Sequence, residues 1–192
     1  MSETKQNISV RWLYLVIGVV AMLYLETAQR ILQNKERFDR VVVDKNIDRR
    51  DKYLKELPPL VTKVMTRHAE TQAAYARLCS ARRRKKSVSA PQKEFEEKLE
   101  ALSALYAGFS FKGKVYEDFV KELRDLRVRI KKVLRQREAD PENALYRDAL
   151  KEFEMQLWMP IPQFLENYKL MSQSMKDAES AKREMIEANL RL

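Results

Sequence analysis

A chain of 192 residues, 45% of them hydrophobic, can build one packed domain and an additional segment. Three glycines exclude hairpin-rich folds and Gly-rich phosphate loops, and a single cysteine excludes an internal disulfide. The net charge of +10 comes from 38 bases interspersed with 28 acids, which permits anionic partners but describes solvated helix faces rather than one basic block.

Residues 1–11 read as a short tail. The run from Trp12 to Leu25 has 14 residues without a charge and is expected to be a transmembrane anchor. Taken from residue 8 to 26, with Arg11 snorkelling to the headgroups, it reaches the length a crossing needs. Trp12, Tyr14 and Tyr24 stand near its ends, where an aromatic belt would lie. A cleaved signal peptide is the alternative, but Leu25-Glu26-Thr27-Ala28-Gln29 offers no clean small-x-small cleavage site. Lys5 and Arg11 precede the run, whereas Arg30, Lys35, Arg37, Arg40 and Lys45 follow it. That asymmetry puts the C-terminal domain in the cytoplasm.

The first helix is expected to continue from the membrane through residues 26–54, with an irregular apolar stripe of Ala28, Ile31, Leu32, Phe38, Val42 and Ile47. Leu57-Pro58-Pro59 should break it, and a second helix should run from Pro59 to Arg82. Residues 82–91 read as a linker. A third helix follows from Pro91, with Phe95, Leu99, Leu102, Leu105 and Tyr106 on one face, and closes at Gly108 and Gly113. A fourth begins near Tyr116 and carries Phe119, Leu123, Leu126, Ile130 and Val133. Asp140-Pro141-Glu142 reads as a restart with an N-cap, an N1 proline and an early acid. The next helix carries Leu145, Ala149, Leu150, Phe153 and Leu157 and stops at Pro160-Ile161-Pro162. Residues 161–192 form a C-terminal amphipathic helix. Its seam of Phe164, Tyr168, Met171, Met175, Ala178, Lys182 and Met185 alternates by four and three, a heptad weakened at Ala178 and broken at Lys182.

The chemistry-bearing residues are few. His68 is the only histidine and Cys79 the only cysteine, and about three helical turns separate them on one predicted helix. Cys-x-x-Cys, Glu-x-x-His and His-x-x-x-His are all absent, so zinc and di-iron sites find no ligand set. No activated nucleophile or acid–base pair is visible, and the chain reads as a non-enzyme without catalytic, cofactor or metal residues. Nucleic acid is a disfavoured partner, because the basic excess comes with neither an aromatic strand platform nor a helix-turn-helix signal.

Three segments resemble the LemA family of bacterial membrane proteins. The first is Tyr116-Glu-Asp-Phe119-Val-Lys-Glu122-Leu123, with Arg129-Ile130 seven positions on. The second is Tyr146-Arg-Asp148-Ala149-Leu150-Lys-Glu-Phe153, followed by Leu157 and Pro160. The third is Arg49-Arg50, then Leu57-Pro58-Pro59-Leu60-Val61, then His68, Glu70 and Thr71. Together they span roughly residues 24–160, and the chain departs from the family at Arg147 and by about nine extra residues between Ile130 and Tyr146. Nine residues are about two and a half helical turns, so a break at Asp140-Pro141 is needed to reset the helix face. The resemblance implies an N-terminal anchor, a LemA-like bundle over residues 26–160 and no known chemistry. It also implies a bacterial inner membrane, or one derived from it.

The expected fold is therefore all-α: a transmembrane helix continuing into an up-and-down antiparallel bundle of about four helices, plus a C-terminal helix. The expected function is a membrane-anchored scaffold that binds other proteins, or itself, through the C-terminal seam. An outgoing first helix and an equally long returning second helix would also bring Arg82, Arg83, Arg84, Lys85 and Lys86 back to the membrane, where anionic lipid is the expected contact.

Overall fold

The computed structural model describes residue 19, residues 21–46 and residues 48–190. Most of the expected anchor, including Trp12 and Tyr14, lies outside them, as does Ile47. Among the described residues no helix is long and apolar enough to cross a membrane. The described chain is all-helical, apart from one isolated antiparallel bridge between Val42 and Phe111.

Helix α1 covers residues 21–32 and stops there, instead of running to residue 54. Asn34 takes a left-handed φ of 54°. The Lys35 N–H donates to the Arg30 carbonyl at 2.8 Å, and the Asn34 N–H to Ile31 at 3.1 Å. This is the Schellman pattern, with asparagine in the position glycine usually takes. A four-residue helix α2 (Phe38–Val41) and a 3-10 turn (Asp44–Asn46) lead into α3 (Arg50–Arg83).

The expected break at Pro58-Pro59 does not occur, and α3 runs straight through both prolines for 34 residues. Each proline removes one N–H from the helix ladder. Both sit on the exposed side, where water can take the released carbonyls, while Tyr53, Leu57, Val61 and Val64 are buried on the opposite face. That buried stripe fixes the helix on both sides of the prolines.

Helix α4 (Ser89–Tyr106) returns antiparallel along α3. The pairing is marked by Arg77 with Glu94, by Thr71 with the Lys98 carbonyl, and by the Tyr53 hydroxyl donating to the Phe109 carbonyl at 2.7 Å. A 3-10 turn (Ala107–Phe109) and the Val42–Phe111 bridge form a tight corner, from which α5 (Gly113–Ala139) starts. Helix α6 (Ala144–Leu157) folds back along α5. Its N-cap is Asn143, whose side chain accepts from the Leu145 N–H at 3.1 Å; the expected cap at Asp140 belongs to the preceding turn. Helix α7 (Ile161–Leu190) completes the fold.

Two apolar cores adjoin. One joins α1, α3, α4, the corner and the start of α5. The other joins the middle of α5 to α6 and the first third of α7, and it also contains Val19. Leu23 packs against both.

Candidate functional site

Tyr24, expected at a membrane interface, lies inside the bundle with 4% of its surface exposed. Its ring is 4.8–5.2 Å from those of Tyr106, Phe109, Phe111 and Phe119, and its hydroxyl donates to that of Tyr116 at 3.0 Å. Burial first, and then the Tyr116 hydroxyl, push its ionisation well above the ordinary tyrosine range. Val19, Ala21 and Leu25 are buried as well. The later part of the apolar run is thus core. The sequence offered a signal for this in the aromatic spacing of Tyr106, Phe109, Phe111, Tyr116 and Phe119, which needed a partner ring.

Arg82, Arg83, Arg84, Lys85 and Lys86 are all exposed at the α3–α4 turn. The turn is a second Schellman cap: the Lys86 N–H donates to the Ala81 carbonyl at 3.1 Å and the Lys85 N–H to Arg82 at 3.2 Å, with Lys85 at φ 51°. Arg82 reaches across to Gln92 at 3.0 Å. The long outgoing first helix on which its membrane placement rested is absent. A different relation replaces it. Val19 lies in the core that holds Leu123 and Leu126 while Tyr24 meets Tyr116 and Phe119, and Met22 shares a cavity with His68 and Gln72 while Phe38 packs on Tyr53, so α1 runs antiparallel to α5 and to α3. The N-terminal end of α1 faces the same end of the bundle as the basic turn.

The C-terminal seam divides. Phe164, Tyr168 and Met171 are buried against α5 and α6, and the Arg127 guanidinium caps the Tyr168 ring at 4.9 Å. Those three are core residues and not a surface seam. From residue 173 to 189 every residue of α7 is exposed, including Met175 (43%) and Met185 (60%), with Ile186 (45%) beside them. This stretch is about 26 Å long at the standard helical rise. Among the described residues only local bonds support it, such as Arg183 with Glu179 and Gln173 with Asp177.

Sequence reasoning missed a cavity of about 240 Å3 between the upper half of the α3–α4 hairpin and the α6–α7 joint. Trp158 forms part of its wall with φ 55° and ψ 32°, a left-handed conformation at the C-cap of α6. Such a conformation costs a bulky residue about 1–3 kcal/mol. The Trp158 ring is held 4.9 Å from that of His68 and edge-on to Phe95 at 6.4 Å. Cys79 is half-buried beside Tyr75. Among the described residues no group of three or more His, Cys, Asp or Glu side chains is placed to hold a metal ion.

No family model matches the chain, and no solved structure matches it.

Proposed function

We propose that this protein is a membrane-tethered helical scaffold: the N-terminal apolar segment attaches the bundle to a membrane, and the outer half of α7 docks protein partners. The observation that carries the docking role is the exposed run 173–189, which prolongs α7 far beyond the residues its own core requires. A helix without tertiary contacts gains little from its own ladder and is stabilised chiefly by packing an apolar face. Met175, Met185 and Ile186 supply that face.

The tether rests on the uncharged run and on the common orientation of α1 and the basic turn. Since Val19, Ala21, Tyr24 and Leu25 serve the bundle, residues 8–18 remain for lipid. As a helix they would measure about 16 Å, roughly one leaflet of a hydrocarbon core about 30 Å thick. A full crossing would require the bundle to release Val19 to Leu25. The positive flank after the run supports a cytoplasmic bundle, and the LemA resemblance supports a bacterial inner membrane. Four of the basic residues, Arg83 to Lys86, then face anionic headgroups, each contributing about 1 kcal/mol.

Three experiments test the reading. Alkaline extraction of membranes should retain the full chain and release a chain starting at Val19; equal retention of both would remove the tether. Photo-crosslinking from Met175 and Met185 in native membranes should yield products with a second polypeptide. Products confined to the same chain would remove the docking role. Changing Arg83, Arg84, Lys85 and Lys86 to Gln should weaken binding of the chain to anionic vesicles, and unchanged binding would detach the turn from the lipid.

A further inference from the structure

The cavity at the α6–α7 joint has an apolar floor and a polar mouth. Leu78, Phe95, Leu99 and Trp158 line it and are each at most 7% exposed. Across its rim Arg82 donates to Gln92 at 3.0 Å, and Gln92 donates to Glu96 at 2.6 Å. The two rim charges oppose each other, so the mouth carries no net charge to attract an ion.

Asn167 enters from the α7 side and is 7% exposed. Among the described residues its side chain makes one hydrogen bond, from Nδ2 to the Met159 sulfur at 3.9 Å. Sulfur is a weak acceptor, and among the described residues no side chain or backbone N–H donates to the amide oxygen of Asn167. Among the described residues no buried side-chain nitrogen or oxygen lacks a partner, so the Asn167 oxygen is reached by solvent from the cavity, where a ligand can bond it in place of water. The Asn167 amide offers one donor and one acceptor side by side, the complement of another amide.

Size narrows the ligand further. With water occupying about 30 Å3, the cavity holds the equivalent of roughly eight waters, and it falls below the range of about 300–1,000 Å3 typical of cofactor and drug-sized sites. It has room for one large side chain together with one peptide group. The strained backbone of Trp158 belongs to the same picture. Glycine would remove the strain but also the wall of the cavity.

We propose that this cavity binds a bulky apolar amino-acid residue together with its neutral amide: the side chain lies against Leu78, Phe95, Leu99 and Trp158, and the amide pairs with Asn167. The source is either a free amino-acid amide or a residue within a peptide segment. The site shares no residue with the exposed half of α7 or with the N-terminal segment, so it stands or falls apart from the scaffold reading.

The test uses the full chain in detergent with Trp12→Phe, which leaves Trp158 as the only tryptophan. Trp158 emission, and the indole and Asn167 side-chain NMR signals, are followed during titration with three probes: N-acetyl-leucinamide, 4-methylpentanoate, which has an isobutyl group and a carboxylate but no amide, and a capped glycine pentapeptide with leucine at its centre. A saturable change is expected with at least one of the two amide probes, at least tenfold weaker with the carboxylate. Saturation with the free amide identifies a small-molecule site, and saturation with the peptide alone identifies a partner segment. Asn167→Ala, checked for retained helicity and cooperative melting, should weaken binding at least tenfold. Absence of saturation with every amide probe would overturn the proposal in the parent chain itself, whatever the fate of the variant. Equal binding of carboxylate and amide, or unchanged affinity in Asn167→Ala, would overturn the role given to the amide.

Discussion

Four tyrosines, Tyr24, Tyr53, Tyr75 and Tyr106, have ionisation pushed above the ordinary tyrosine value, in each case chiefly because burial penalises the phenolate. A raised folded value means that the folded state holds its phenolic protons more tightly than the unfolded chain does. Their contribution to stability is therefore complete below the unfolded tyrosine value of about 10, and it is lost as pH rises from there toward the raised folded values. Tyrosine absorbance followed against pH should show these four ionising together with loss of helical circular dichroism. Smooth titration of all tyrosines in a chain that stays helical would contradict their burial. Lys85 offers a second test. A lysine at φ 51° carries a left-handed penalty that glycine avoids, so Lys85→Gly should raise stability by about 1 kcal/mol in urea melts. Both left-handed caps follow from Schellman geometry. Asn34 was readable in the sequence, since asparagine is the usual substitute for glycine there, but the apolar residues on either side argued for continuity. Lys85 and Trp158 carry no such signal, because neither residue type favours positive φ.

At the level of the helices, periodicity was a reliable guide and punctuation a poor one. The stripes of α4 and α5 pack as their spacing predicts, with Phe95, Leu99 and Leu102 buried in the former and Phe119, Leu123, Leu126 and Ile130 in the latter. Pro58 and Pro59 misled because the cost of two lost N–H groups is local, while the gain from burying Tyr53, Leu57, Val61 and Val64 is tertiary. Restoring one donor should therefore help. Pro59→Ala is expected to stabilise the fold by about 1–3 kcal/mol in chemical melts, the lower end reflecting the unfolded-state entropy that proline suppresses. A destabilised variant would mean that α3 depends on the stiffness of the proline pair. The heptad in α7 was legible as a pattern, but its division into a core third and an exposed remainder depends on where α5 and α6 end. No single-segment pattern contains that information. The cavity was illegible for a similar reason: Asn167 and Trp158 become neighbours of Phe95 and Leu99 only when two hairpins meet.

Across the whole molecule, the packing predicts which parts are dispensable for stability. Removing residues 173–192 deletes no described buried side chain, so the melting midpoint should shift by no more than about 2–4 °C, the effect of about 1 kcal/mol for a domain of this size. Limited trypsin digestion should accordingly cut at Lys176, Lys182 and Arg183 and leave a stable fragment ending near them. A large fall in melting temperature on truncation would mean that the outer half of α7 supports the bundle. The opposite end behaves differently, because α1 enters both cores. Val19 is in one, Tyr24 in the other, and Leu23 touches each.

That placement gives the bundle a mechanical grip on whatever precedes it. A pull along the axis of α1, which lies lengthwise against α5, loads the contacts of Leu23, Tyr24 and Leu25 in shear rather than peeling them one at a time. Tension carried along α1 reaches two cores at once.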